Sequence, residues 1–205
     1  GIFGEMGCER VGMVLYSRMA AELGTIPFAV HSICMNFCDL YYGFAQGMGK
    51  ASMVLAGQSC GARRVYGWRA YLRAGVRWGL GFSLVAALLT ALFSSSIIGF
   101  YDSDPAVIAM GTPIMLFVAV VSFPEALALI FAGVLRGSGK TGQVAMCYFV
   151  SVTFLRPLFT AVLLYGLGLG ILGAWIALLF DQCLRAASSG FLVRRTRVAE
   201  LMGKA

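Results

Sequence analysis

Charge is what this chain has least of. Asp, Glu, Lys and Arg make up 12% of its 205 residues, about half the share of an average soluble domain. With 60% hydrophobic residues and a mean hydropathy of +0.84, too little polar surface is left to cover a water-soluble globule. The composition therefore implies a polytopic membrane protein, and excludes disorder, collagen and coiled coil. Segments of strictly alternating polarity are missing as well. The long uninterrupted apolar runs argue against a β-barrel, whose strands alternate between lipid and lumen. The six cysteines (Cys8, Cys34, Cys38, Cys60, Cys147, Cys183) show no paired loop spacing and fall mostly in apolar segments, so buried free thiols are expected, not a disulfide framework. No signal peptide is visible. The chain opens Gly1-Ile2-Phe3-Gly4-Glu5 without an initiating Met, and is expected to be a piece of something longer.

What is present is a succession of apolar stretches. At about 30–35 residues per helix and loop, the length allows six spans. The fold expected is all-α: one transmembrane helical lobe over residues 1–205, with spans at 3–23, 27–57, 77–100, 105–135, 141–164 and 171–193. Trp78 to Tyr101 is free of charge, and Pro105 is a good first-turn residue for the next helix. Gly166 to Gly170, Gly-Leu-Gly-Leu-Gly, is a natural hairpin between the last two spans. The first span is the hardest to read. Glu5, Glu9, Arg10, Arg18 and Glu22 make an interfacial amphipathic helix the alternative there.

Orientation follows from where the basic residues fall. The second connection carries Arg63, Arg64, Arg69, Arg73 and Arg77; the fourth carries Arg136 and Lys140; the tail carries Arg194, Arg195, Arg197 and Lys204. The opposite connections, near Gly24, Asp102–Asp104 and Gly166–Gly170, carry none. This is a positive-inside pattern, placing the basic loops and the C-terminus in the cytoplasm of a multi-pass protein of the plasma (inner) membrane. The net charge of +7 is thereby explained without nucleic acid.

Ionisable residues inside spans cost about 2.5–3.5 kcal/mol each and usually face a bundle interior or a wet cavity. His31, Asp39 and Lys50 lie in the second span, Glu125 in the fourth, Arg156 in the fifth, and Asp181 and Arg185 in the sixth. Asp39 and Lys50 are 11 residues apart and so share a helical face. Pairing would account for Asp39, Lys50, Arg156 and Asp181. Glu125 directly follows Pro124, which removes a backbone donor and frees a carbonyl one turn earlier. A buried carboxylate beside a broken ladder can take a proton or, with freed carbonyls, a Na⁺ ion. The bland reading is a kink with a permanently protonated Glu.

Two patterns are set aside. Gly139-Lys140-Thr141 resembles the end of a P-loop, but the Gly required five residues before Gly139 is Val134, and an apolar helix precedes it. His31, Cys34 and Cys38 share a helical face, a spacing that suits metal but is more often packing. No metal site is expected apart from Na⁺ at the acids, no cofactor is implied, and no catalytic constellation marks an enzyme.

Several segments, taken together in order, resemble the MATE (multidrug and toxic compound extrusion) family of transporters, from the seventh to the twelfth helix. They are Leu23-Gly24-Thr25 followed by Ala29-Val30-His31, Ile33 and Asn36; Gly57-Gln58-Ser59-Cys60-Gly61-Ala62; Leu135-Arg136-Gly137-Ser138-Gly139-Lys140-Thr141; Arg156-Pro157-Leu158; and Gly173-Ala174-Trp175-Ile176. The resemblance covers nearly the whole chain. It implies one six-helix lobe of a twelve-helix, two-lobe carrier, with Glu9 and Glu125 as a shared site for a coupling Na⁺ or H⁺. His31, Asn36, Asp39, Lys50, Arg156 and Asp181 are possible cavity or supporting residues. It also makes residues 1–24 a genuine span. Two departures stand out: Lys50 replaces a small or apolar residue, and could neutralise Asp39, and Glu125 stands where the family often has Asp.

The function expected is therefore the C-terminal half of a cation-coupled antiporter that exports organic cations by alternating access. Its partners would be the missing N-terminal lobe or a second copy, an organic cation substrate and the bilayer. A flippase of lipid-linked saccharide from a related branch keeps the fold and changes the cargo. A non-transporting membrane protein, a truncated remnant or a scaffold whose acids are structural, is the alternative of a different class.

Overall fold

The structure, a computed structural model, describes residues 2–196; for residues 2–6, 8–10, 12 and 13 it describes the backbone alone. Among the described residues all regular structure is helical. α1 spans Ile2–Ala21, α2 Thr25–Gly61, α3 Val65–Tyr101 and α4 Pro105–Gly137. α5 spans Thr141–Gly166 and α6 Gly170–Arg195. Four of them, α3 to α6, are long and apolar enough to cross a membrane. Cys34, Cys38, Cys60, Cys147 and Cys183 are free thiols, and Cys183 alone of these five is exposed; Cys8 lies outside the described side chains.

α4 is the central helix and packs against α2, α3 and α6. Its contact with α2 is made backbone to backbone. A Cβ on Gly133 would stand 2.1 Å from the Gly49 carbonyl oxygen, one on Gly137 2.1 Å from that of Met53, and one on Gly49 2.8 Å from that of Leu129. Gly133 and Gly137 are four residues apart on α4, the small-residue spacing that lets membrane helices approach closely. α3 packs on α4 in a similar way, with Gly79 facing the Ile130 side chain.

The connections follow from end chemistry. α4 starts at Pro105 with the Asp104 carboxylate capping the Ala106 amide at 2.8 Å. Its far end closes in a Schellman turn: the Lys140 amide donates to the Leu135 carbonyl and the Gly139 amide to that of Arg136, with Gly139 at φ 79°. α2 ends in the same turn, the Arg64 amide on Ser59 and the Arg63 amide on Cys60. Here Arg63 holds the left-handed position at φ 54°, a conformation that costs an L-residue about 1–2 kcal/mol.

α3 begins earlier than the apolar pattern indicates, at Val65 where residue 77 was expected, because Arg69, Arg73 and Arg77 ride on an exposed face while Trp68 and Gly75 are buried. α5 is not regular. Two π-helical turns, Ser151–Leu155 and Val162–Gly166, flank the α-helical segment Arg156–Ala161. Pro157 lacks an N–H, and its ring clashes with the carbonyl of Thr153 in a regular helix. Widening the turn relieves that clash.

Candidate functional site

Two apolar clusters fill the lobe. One joins Val30, Cys34, Ile98, Ile114, Val118 and Trp175. The other joins Ala56, Trp68, Leu135, Val144, Tyr148 and Val193. Between them, at mid-height of α4, α5 and α6, the side chains turn polar.

Glu125 is the α4 member and is 5% exposed. The Gln182 amide of α6 donates to its Oε1 at 2.9 Å, while Oε2 is buried without a hydrogen-bond partner among the described residues. No Lys or Arg among the described residues forms an ion pair with it. The charges of Arg185, Arg156 and Asp39 nevertheless reach Glu125. An ionised carboxylate left half-satisfied in an apolar interior costs several kcal/mol, so the open oxygen calls for a proton or a cation.

Beside it, Asp181 is saturated. Arg156 Nε donates to its Oδ2 at 3.0 Å and Arg156 Nη2 to the same oxygen at 2.5 Å. Arg185 Nη2 stands 3.0 Å from that oxygen, and Ser151 Oγ donates to Oδ1 at 2.5 Å. Ser151 opens the first π-helical turn of α5 and Arg156 follows it, so the irregular turn delivers both groups to one carboxylate. Arg185 also lies over the Tyr148 ring, 5.0 Å from its centroid. With Asp181 and Gln182 adjacent on α6, the ion cluster fixes the helix level at which Gln182 reaches across to α4.

The other expected residues divide. His31 is buried among the rings of Tyr16, Phe28 and Trp175, and Tyr16 itself donates to the Ala174 carbonyl at 3.1 Å. Among the described residues no group of three or more His, Cys, Asp or Glu side chains is arranged to hold a metal. Asn36, Asp39 and Lys50 lie on the exposed side of α2. Asp39 and Lys50 share that face, but three turns of helix separate them by about 16 Å, so the one cannot neutralise the other by direct pairing. Asp39, Leu40, Gly43, Phe44, Gly47 and Met48 line an open groove of about 550 Å³ along α2. The side chain of Glu9, on α1, lies outside the described residues. Gln182, the one hydrogen-bond partner of Glu125 among the described residues, is not among the residues that charge and motif single out. A Gln on an apolar helix next to an intramembrane Asp is itself costly to bury, and that was the available signal.

Comparison with known proteins follows the same outline. Residues 2–162 match the protein family described as MatE. A relative from Chromobacterium violaceum, described as "Probable multidrug resistance protein NorM", is 35% identical over 180 residues, covering 83% of this chain and 38% of the relative. Two solved structures, each described as a conformation of a multidrug resistance MATE family transporter of the MOP superfamily, share the fold. The inward-facing one has a TM-score of 0.85 at 15% identity and covers 97% of this chain and 46% of that chain. The outward-facing one has a TM-score of 0.86 at 15% identity and covers 98% and 45%. The chain thus spans less than half the length of the proteins it matches.

Proposed function

The chain belongs to the MATE family of multidrug efflux transporters, and from that premise we propose that it is the C-terminal six-helix lobe of a twelve-helix antiporter. In this reading all six helices cross the plasma (inner) membrane, with the basic connections and the C-terminus in the cytoplasm. A second lobe, N-terminal in the same protein or supplied by another copy, completes the central cavity. The lobe is similar in equal measure to an inward-facing and an outward-facing transporter, which supports its moving as a unit in alternating access.

Glu125 carries the coupling ion, Na⁺ or H⁺, with Glu9 on α1 as the second carboxylate of the site. The observation that carries this reading is the open Oε2 of a buried carboxylate whose other oxygen is held by a neutral amide. A structural acid would be matched by a cation, as Asp181 is. The groove along α2 suits an amphipathic organic cation: Leu40, Phe44 and Met48 supply apolar wall and Asp39 the charge. Arg156 is engaged by Asp181, which leaves few cations for an anionic saccharide headgroup and counts against the flippase reading.

The test is efflux of an organic cation from membrane vesicles that hold the full-length transporter, under imposed Na⁺ and pH gradients. Glu125→Gln and Glu9→Gln are each expected to lose the gradient-driven component with protein level and fold retained. Full efflux in both would make the acids structural and reject the mechanism. Gln182→Leu removes the amide that commits Oε1. It is expected to shift the half-saturating concentration of the coupling ion about tenfold or more, the worth of a hydrogen bond to a charged group. An unshifted ion titration would remove Gln182 from the site.

A further inference from the structure

Five arginines, Arg63, Arg64, Arg69, Arg73 and Arg77, lie just before α3 or in its first four turns, and α3 itself has no acid. Between Asp39 and Asp102 the chain contains no Asp or Glu. Arg69, Arg73 and Arg77 are all exposed, and among the described residues none of the three pairs with a carboxylate; the Arg73 Nε donates only to the Arg69 carbonyl, at 3.3 Å. Spaced four residues apart, they form one stripe. At about 100° per residue that stripe runs on into Leu84, Leu88 and Leu92, which are exposed at 52%, 54% and 75%. The opposite side of the same helix, with Gly75, Gly79, Ser83 and Ala86, is buried in the lobe. The arginine stripe is therefore the continuation of a helix face that meets lipid.

Its depth fits the headgroups. Arg77 ends the charge-free stretch, and Arg73 and Arg69 follow at about 6 Å and about 12 Å further out along the axis. A headgroup layer of about 5–8 Å per leaflet then holds Arg77 and Arg73, with Arg69 at its rim. Trp78, 74% exposed, is an aromatic type that settles at that level.

We propose that this end of α3 is a binding surface for anionic phospholipid, its arginine stripe taking the phosphate oxygens of headgroups beside the lobe. Guanidinium groups suit the task because they donate paired hydrogen bonds to phosphate in a fixed geometry. The inference rests on α3 crossing the membrane and is independent of the role of Glu125.

The experiment uses spin-labelled phosphatidylglycerol and phosphatidylcholine in phosphatidylcholine vesicles that hold the full-length transporter, and reads the immobilised lipid fraction. The intact protein is expected to prefer phosphatidylglycerol. Each arginine near the surface contributes about fivefold in affinity, so Arg69→Gln, Arg73→Gln and Arg77→Gln combined should abolish the preference, and Arg73→Gln alone should lower it about fivefold if the triple variant fails to fold. Arg194→Gln with Arg195→Gln, on α6, should lower it less than the α3 variant does. The proposal is overturned by equal retention of the two lipids, by an unchanged preference in the α3 variants, by equal loss in the α6 variant, or by displacement with inorganic phosphate at matched ionic strength.

Discussion

Asp181→Asn is expected to strip the lobe of a large part of its stability. The side chain keeps its shape, but the negative charge between two guanidinium groups disappears. Arg156 and Arg185 have side chains only 6% and 5% exposed, so neither can recover its hydration by a rotamer change. Removing one partner of a buried ion pair costs about 3–5 kcal/mol, and here Arg156 loses the carboxylate that it pairs with. Against a total stability of about 5–15 kcal/mol, that is between about a fifth and all of it. Size-exclusion profile and thermal unfolding of the purified variant measure it. Replacing all three groups together, Arg156→Met, Asp181→Leu and Arg185→Met, should restore much of the folded yield, since an apolar cluster of similar volume avoids the desolvation cost. Parent-like stability of Asp181→Asn alone would show that the cluster is hydrated and contributes little.

Gly133→Ala should be nearly as damaging, for a reason that has nothing to do with charge. The added methyl carbon would lie 2.1 Å from the Gly49 carbonyl oxygen and 2.9 Å from its carbon. Both atoms are backbone, so α2 and α4 must separate along their whole contact. Overpacking against movable side chains costs about 1–3 kcal/mol, and a backbone obstacle places this change at or above the upper end. Gly137→Ala, 2.1 Å from the Met53 carbonyl oxygen, should behave alike. Gly142→Ala is the control: nothing stands within 4 Å of its Cβ position, and the gain in helix propensity is worth up to about 1 kcal/mol. Thermal midpoints that fall for Gly133 and Gly137 but hold for Gly142 would confirm the close approach. Equal midpoints for all three would contradict it.

The order of α3 to α6 is legible from hydropathy, because burying apolar length in lipid leaves few alternatives to helices. Pro105 and the glycines of the last hairpin marked their ends correctly for the same local reasons. The start of α3 was not legible that way: arginines on a lipid-interface face lower the hydropathy of a segment that is nevertheless helical. The π-helical turns of α5 were equally hidden, although Pro157 announced that something must yield. Charge pairing was legible only in part. Arg156, Asp181 and Arg185 were visible as intramembrane charges, yet their meeting depends on the register between α5 and α6, which those turns set. Direct pairing of Asp39 with Lys50 fails on helical rise, since 11 residues of one helix span about 16 Å. Gln182 went unnoticed because a neutral amide raises no alarm in a count of charges, even where its partner, Glu125, does.

The most direct test of the coupling reading is equilibrium binding of a labelled organic cation to the full-length transporter, titrated with pH and with Na⁺. If Glu125 is the group through which the ion acts, the coupling ion displaces the bound cation from the intact protein, and in Glu125→Gln the cation still binds but the ion no longer displaces it. Displacement of equal strength in the two proteins would place coupling elsewhere and leave Glu125 a buried acid held by Gln182.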